Sequence, residues 1–235
     1  MQFEKTRLKR TATGVAFGLV LATAVTMPLS AGTIVGTVKF TGTVPAVETI
    51  AVAQDTSVCG TEQTSPEIVV DSNQGLQWAV VQVSSARGAT ESAEQPKLDQ
   101  NGCKFIPRVV VVRPGEEMAV LNSDGILHNV HTHSEENAPM NMAQPGFVQT
   151  LPLSFDKSEV IKVKCDVHGW MTGWILVTDS RYTAVSDEAG SFSLADVPAG
   201  THQLSIWHEK LGEQTQEITV RDGQDTQVSF EFTGE

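Results

Sequence analysis

The sequence predicts an all-β protein with antiparallel sandwiches. Apolar and polar residues alternate over short runs, as in residues 34–40 and 227–232, which is the period of a strand with one buried face. Turn residues such as Arg113-Pro114-Gly115-Glu116 separate these runs. No segment sustains the helical period, and short strands joined by turns are typical of sandwich folds.

The first 31 residues are predicted to form a secretory signal peptide. Residues 5–10 carry four basic side chains, residues 12–27 are mostly apolar, and small residues lead to Ala31. This order predicts export to the periplasm or the medium, with cleavage after Ala31. An uncleaved membrane anchor is the alternative, although the apolar run is short and diluted by threonines.

The chain is acidic, with a formal net charge of −12, and removal of residues 1–31 would make it more negative. A surface of this kind disfavours nucleic acid and anionic membranes and favours a basic docking partner. Solubility alone would also account for the charge. Since no apolar run after residue 31 is long enough to span a bilayer, no stable membrane insertion is expected after cleavage.

Several short strands and two loops are predicted in the middle of the chain. Strands are expected at residues 78–83, 108–112, 118–122, 160–165 and 174–177, while residues 84–95 and 134–158 are expected to be loops. The second of these loops contains four Pro or Gly residues and lacks clear periodicity.

A second unit begins near Asp179. Four further strands with alternating patterns are predicted between residues 192 and 232. Residues 179–235 are few for an independent sandwich, so strands from residues 32–96 are the candidates to complete it. The middle unit, residues 97–178, would then be inserted into the second one.

The chain has three cysteines, an odd number for an exported protein, in which thiols tend to oxidise. Cys59 and Cys103 lie in similar polar turns and are the candidates for a disulfide. Cys165 lies beside a histidine and near a methionine. An odd cysteine in that company predicts a metal thiolate.

Residues 165–171 read Cys-Asp-Val-His-Gly-Trp-Met and bring a thiolate, an imidazole and a thioether into one short turn after a strand. Sulfur ligands of this kind suit copper, and a type 1 centre needs two His and one Cys with a weak axial Met. His128, which follows a predicted strand end, is the candidate for the second imidazole. Zinc is conceivable with the same His and Cys residues, but Met171 would be a poor zinc ligand.

Residues 105–177 resemble the cupredoxins. The spacing of the Cys, His and Met in residues 165–171, here called the late loop, is that of amicyanins. The shared features are Phe105-x-Pro107, Pro114-Gly115, Asn122-x-Asp124, His128-Asn129-Val130-His131 and Cys165-x2-His168-x2-Met171. The resemblance implies a Greek-key sandwich with one copper ion held by His128, Cys165, His168 and Met171. It also implies that Asn129 ties the two ligand loops together. Gly169-Trp170 stands where amicyanins have Pro-Phe, which bears on the redox potential and the surface shape.

The same resemblance implies a one-electron carrier that cycles between Cu(I) and Cu(II), and not an enzyme. His168 would lie near an apolar surface where a redox protein, such as a basic cytochrome or an oxidoreductase, docks. Copper storage or delivery without electron transfer remains the alternative, as does a surface interaction protein. Extra copper ligands at His131, His133, Met140 or Met142 would favour storage. Strand alternation, however, places both histidines on the face opposite His128.

Residues 187–209 resemble the carboxypeptidase regulatory-like, transthyretin-like sandwich. The pattern Asp-x2-Gly-x-Phe-x-Leu-x2-Val-Pro-x-Gly begins at Asp187 and ends at Gly200. No catalytic carboxylate pair or zinc signature accompanies it. Because fold alone says little about function, we expect this unit to pack, to act as a spacer or to bind another surface.

Overall fold

The computed structural model describes residues 30–86 and 92–234. The predicted signal peptide therefore lies outside the described residues except for Ser30 and Ala31, and so does the centre of the predicted 84–95 loop. Within the described ranges the prediction of an all-β protein is confirmed: they contain 18 strands and one helix of four residues. None of the described helical structure is long and apolar enough to cross a membrane.

The strands are short and follow one another closely along the chain. In chain order the elements are β1 (Ala31–Phe40), β2 (Thr49–Ala51), α1 (Thr56–Cys59), β3 (Glu62–Thr64), β4 (Val80–Val83), β5 (Lys97–Gln100), β6 (Phe105–Ile106), β7 (Val109–Val112), β8 (Met118–Asn122), β9 (His128–His133), β10 (Asn141–Gln144), β11 (Thr150–Leu153), β12 (Glu159–Lys164), β13 (Thr172–Val177), β14 (Thr183–Val185), β15 (Ser191–Pro198), β16 (Gly200–His208), β17 (Gly212–Val220) and β18 (Asp225–Phe232).

The middle sandwich, built from residues 97–177, consists of two sheets that face each other across an apolar core. One sheet has the order β10-β9-β12-β13-β7 and the other has the order β11-β8-β5-β6. Most of the pairs are antiparallel, while β13 runs parallel to β7 and β5 runs parallel to β8. Alternate residues of the central strands fill the core, among them Val120, Val130, Ile161 and Ile175, which have no exposed surface.

The prediction of one long loop over residues 134–158 is wrong, because two strands lie within it. β10 pairs with β9, and β11 pairs with β8. Both are edge strands, and β11 includes Pro152, which is tolerated at an edge because one side of the strand needs no ladder hydrogen bond. Leu153 is buried in the core, so tertiary packing outweighs the weak local pattern.

The C-terminal sandwich takes two of its strands from the N-terminal part of the chain. Its sheets have the orders β15-β1-β18 and β14-β4-β16-β17. β1 runs antiparallel to β15 and parallel to β18, and β4 lies between β14 and β16. The chain therefore enters this sandwich, forms the middle one and then returns.

Gly190 shows why the pattern that starts at Asp187 has a fixed glycine. Gly190 has a φ of +72°, and a Cβ at this position would lie 2.3 Å from the carbonyl oxygen of Val38 in β1. Asp187 closes the same turn, since its Oδ1 accepts hydrogen bonds from the backbone N–H groups of Ala189 and Ser191. Only a residue without a side chain lets the turn approach β1 so closely.

The two sandwiches pack against each other through an aromatic and apolar layer. Val80, Val109 and Leu176 are buried there, with Trp78, Trp174 and Trp207 packed around them. A charged pair crosses the layer: the Arg108 guanidinium binds both carboxylate oxygens of Glu209, whose side chain is only 3% exposed. Trp174 donates to the same carboxylate over 2.8 Å. Because both charges are paired, their burial is compatible with a stable junction.

His208, at the end of β16, is a fully buried titratable group in the C-terminal sandwich. Its Nδ1 accepts a hydrogen bond from the backbone N–H of Lys210, and its ring centroid lies 6.4 Å from that of Phe232. Burial lowers the pKa of His208 from 6.5 to about 4. The folded state therefore holds this imidazole neutral where the unfolded chain would protonate it.

This difference predicts an acid-sensitive stability. Since the pKa of His208 is lower in the folded state, its neutral form contributes to the free energy of unfolding. This contribution is complete above pH 6.5 and is lost as the pH falls towards 4. We expect the wild type to lose about 3 kcal/mol more unfolding free energy than the His208→Gln variant over this range, measured by urea denaturation. His202→Gln, at a partly exposed site on the same strand, is the control and should follow the wild type. Parallel curves for wild type and His208→Gln would contradict the prediction.

Candidate metal centre

His128, Cys165 and His168 are brought together at one end of the middle sandwich. His128 opens β9, Cys165 follows the last residue of β12, and His168 lies in the turn between β12 and β13. β9 and β12 are neighbouring strands, with His131 opposite Lys164. The sheet register therefore places the start of β9, with His128, beside the end of β12, which Cys165 follows.

The three donor atoms converge in a small buried space. The Nδ1 atoms of His128 and His168 lie 3.0 Å apart, and Cys165 Sγ lies 3.9 Å from the first and 3.8 Å from the second. Both histidines are 0% exposed and Cys165 is 1% exposed. Two imidazole nitrogens and one thiolate in this arrangement match the trigonal donor set of a type 1 copper site.

Met171 closes the turn that carries two of these groups. Its backbone N–H donates to the carbonyl oxygen of His168 over 2.9 Å, and its carbonyl oxygen accepts from the N–H of Cys165. The backbone N–H of His168 donates to Cys165 Sγ over 3.4 Å. The side chain of Met171 is 1% exposed and belongs to the apolar core of the middle sandwich. These contacts fix the shape of the turn within the protein itself.

Two carboxylates hold the far sides of the imidazole rings. Asp124 Oδ2 lies 2.9 Å from Nε2 of His128, and Asp55 Oδ2 lies 3.1 Å from Nε2 of His168. A carboxylate in this position accepts a hydrogen bond from the Nε2–H group, which leaves the Nδ1 lone pair free for a metal. Burial holds the pKa of His128 below its usual value despite the nearby Asp124. Both rings are therefore held in orientation by a carboxylate on the side away from Cys165.

Asn129 connects the segment that contains His128 with the segment that contains Cys165. Its Oδ1 accepts a hydrogen bond from the backbone N–H of Asp166, the residue after Cys165. Its Nδ2 donates to Asn141 Oδ1 over 2.7 Å and to Asp166 Oδ2 over 3.2 Å. A link of this kind restrains Cys165 relative to His128, and such outer contacts tune a metal site.

His131 and His133 lie outside the group of three donors. Nδ1 of His131 contacts Asp166 Oδ1 at 3.0 Å, and the two histidine rings stack with centroids 4.4 Å apart. Met140 and Met142 pack against the core of the middle sandwich. Among the described residues, a second group with metal-binding spacing is Cys103, Asp124 and His128, but the sulfur of Cys103 is bound to Cys59.

A covering segment, residues 49–64, lies over the late loop. It comprises β2, α1 and β3, and the predicted disulfide between Cys59 and Cys103, with an S–S distance of 2.01 Å, joins it to the middle sandwich. Besides Asp55, Gln54 contacts the loop by donating from Nε2 to the carbonyl oxygen of Val167 over 2.7 Å. Val52 and Cys59 are buried in the core of the same sandwich.

The covering segment corrects one expectation drawn from the family resemblance. His168 does not lie at an open apolar surface, because its ring is 0% exposed and Asp55 occupies its Nε2 side. Sequence reasoning missed the contributions of Asp55 and Asp124. Asp124 was part of the Asn122-x-Asp124 motif and lies four residues before His128, so a signal existed. Asp55 lies 113 residues from His168, and its local sequence gives no sign of the contact.

Comparisons with known proteins give a match to one family model and partial structural likenesses. Residues 175–233 match the model of the carboxypeptidase regulatory-like domain. No curated protein sequence matches the chain. Among solved structures, a copper-containing nitrite reductase (NirK) from Thermus scotoductus SA-01 is 18% identical with a TM-score of 0.34. The likeness covers 37% of this chain and 23% of the reductase, so the chain spans less than a quarter of that protein.

Two smaller proteins also resemble part of the chain. The oxidised P96G mutant of amicyanin is 21% identical with a TM-score of 0.32, and the likeness covers 42% of this chain and 98% of amicyanin. A purple cupredoxin from Nitrosopumilus maritimus is 17% identical with a TM-score of 0.30, over 36% of this chain and 98% of that protein.

Proposed function

We propose that this chain is an exported type 1 copper protein that carries one electron at a time. The observation that carries the proposal is the buried convergence of His128 Nδ1, His168 Nδ1 and Cys165 Sγ. Met171 is proposed as the axial ligand. A bound copper ion would supply the Cu(I)/Cu(II) couple, which none of these side chains provides by itself.

The residues around the donors support electron transfer over loose metal capture. Asp124 and Asp55 fix the two imidazoles, and Asn129 restrains the loop that carries the thiolate. Donors that are held in place from outside move little when the charge of the metal changes, which keeps the barrier to electron transfer low. The burial of all three donors also excludes water from the first coordination sphere.

The surroundings of the site agree with a carrier in an oxidising compartment. The disulfide between Cys59 and Cys103 is of the kind that persists outside the cytoplasm, which supports the proposed export to the periplasm. The acidic surface supports a basic redox protein as the partner. We propose no catalytic reaction for the chain, because no step besides electron transfer is needed to account for the site.

The test is to load the exported, mature chain with Cu(II) and to record its visible absorption and electron paramagnetic resonance. We expect one copper per chain, an intense thiolate-to-copper charge-transfer band and a narrow copper hyperfine splitting. Repeated reduction and reoxidation by a one-electron mediator should bleach and restore the band without loss of metal. A colourless protein that binds copper stoichiometrically would contradict the proposal and favour storage or delivery.

A further inference from the structure

A cleft at the junction of the two sandwiches lies next to the metal centre but belongs to neither sandwich alone. It consists of two adjoining cavities of about 390 and 440 Å³. Both cavities are lined by Ser65, Pro66, Arg108, Trp170 and Thr172, so they lie side by side. Volumes in this range fit small organic ligands, and pockets between domains are a preferred place for them.

The two halves of the cleft differ in chemistry. Aromatic and apolar side chains form the larger part of the first half, among them Trp78, Phe105, Ile106 and Pro107, and Lys104 is the basic residue that lines this half alone. Basic side chains line the second half, in which Lys162, Lys164 and Lys210 join Arg108. Trp170 lies between the halves and faces both. This division suits a ligand that is flat and apolar at one end and negatively charged at the other.

The positive charge of the second half stands out against the rest of the chain. The protein has 16 basic residues and a formal net charge of −12, and four of the basic residues line this one cavity. Two carboxylates, Glu48 and Glu67, are also present. Glu67 is occupied by Lys210 at 2.9 Å, and this hydrogen bond holds the pKa of Glu67 below its usual value.

The basic groups of the second half that remain for an anion are Lys164 and Lys162, whose Nζ lies 5.4 Å from the ring centroid of Trp174, and Glu48 is the acidic residue beside them. The Arg108 guanidinium is occupied by Glu209, as described above. Lys162 and Lys164 are two residues apart on β12, so their side chains leave the same face of the sheet. Two neighbouring ammonium groups in a partly enclosed space attract a carboxylate more strongly than they would on an open surface.

We propose that this cleft binds a small aromatic carboxylate, with its ring in the apolar half and its carboxylate at Lys162 and Lys164. A concave site with walls from both sandwiches and from residues 45–50 and 65–68 favours a small molecule over a protein surface. The proposal is independent of the proposed copper function, since Lys162, Lys164 and the apolar side chains that would contact the ring are not among the proposed copper ligands.

The position of the cleft also predicts communication with the metal centre. Met171 lines the first half, and the ring centroid of Trp170 lies 5.3 Å from that of His168. A ligand packed against these residues contacts the wall of the site that holds the proposed copper ligands. Its binding should therefore shift the visible band of the copper-loaded chain, while binding itself can be measured without metal.

The test is calorimetric titration of the metal-free, mature chain with 2-naphthoate and with the uncharged 2-naphthamide. We expect 2-naphthoate to bind in a one-to-one ratio and the amide to bind about tenfold more weakly, because it lacks the charge. Lys162→Gln/Lys164→Gln should weaken 2-naphthoate by about tenfold and leave the amide unchanged. Lys157→Gln removes a lysine outside the cleft, whose side chain is 63% exposed, and should bind as the wild type does.

Three results would each overturn the proposal: no heat with 2-naphthoate at millimolar concentration, equal binding of the acid and the amide, or equal binding by the double variant and the wild type. Thermal unfolding of the double variant checks that it is folded. If the copper-loaded wild type shows no visible band but the metal-free protein binds 2-naphthoate, the proposed copper function is refuted and the proposed ligand site is not. The two failures can therefore be told apart.

Discussion

Replacing Cys165 with alanine is expected to abolish the visible charge-transfer band of the copper-loaded chain completely. The band requires a thiolate, and Cys59 and Cys103, the other two cysteines of the sequence, are joined to each other. The affinity for Cu(II) should fall by more than about 100-fold, since even an outer contact of a metal site is worth 10–100-fold. Absorption spectroscopy and competition with a chelator measure the two effects.

The fold should survive this substitution. Cys165 is almost fully buried, but removal of one sulfur atom leaves only a small cavity and costs about 1 kcal/mol. His131→Gln is the matched control, because His131 lies near Cys165 in space but directs Nδ1 to Asp166. That variant should keep the band. Loss of colour in His131→Gln, or a blue Cys165→Ala variant, would show that the ligands have been assigned incorrectly.

The sequence best predicts the turns and strands that depend on residues close together along the chain. The turn at residues 165–171 is visible because its donors lie within seven positions, and β12 is visible because burial alternates along it. His128 was a candidate because it follows a predicted strand end, and the family resemblance added Asn129; sheet pairing places both residues close to Cys165. The prediction that fails locally, the loop at residues 134–158, fails because β10 and β11 depend on partners in β9 and β8 for their structure.

The covering segment could not be predicted, and the reason is physical. Its residues are polar or small and mostly exposed, so their own pattern specifies neither a strand face nor a helix face. They are held by contacts over long sequence separations: Asp55 with His168, Gln54 with Val167, and Cys59 with Cys103. Of these three, only the cysteine pair leaves a signal in the sequence, and that signal does not reveal that the disulfide lies beside the metal centre.

Removing that disulfide is expected to lower the stability of the fold strongly. The bond spans a sequence separation of 44 residues, and closing a loop of this length in the unfolded chain is worth about 4 kcal/mol in the chain-entropy model. The variant Cys59→Ala/Cys103→Ala avoids free thiols. Its unfolding free energy, measured by urea denaturation without metal, should therefore fall by about 4 kcal/mol.

The same variant should also open the metal centre. Once the covalent link to the middle sandwich is gone, the covering segment is held at its α1 end mainly by hydrogen bonds such as those of Asp55 and Gln54, and such bonds contribute only about 1 kcal/mol each. Local opening should expose His168, so a chelator should remove copper faster from the variant than from the wild type at equal fractions folded.

Gln63→Ala is the matched control: it removes the hydrogen bonds from Gln63 Nε2 to the carbonyl oxygens of Cys59 and Gly102 but leaves the disulfide. It should cost about 1 kcal/mol and leave the rate of copper loss nearly unchanged. Equal rates of copper loss from the double variant and the wild type would mean that the covering segment does not control access to His168, and that its contacts with the loop serve only to stabilise the fold.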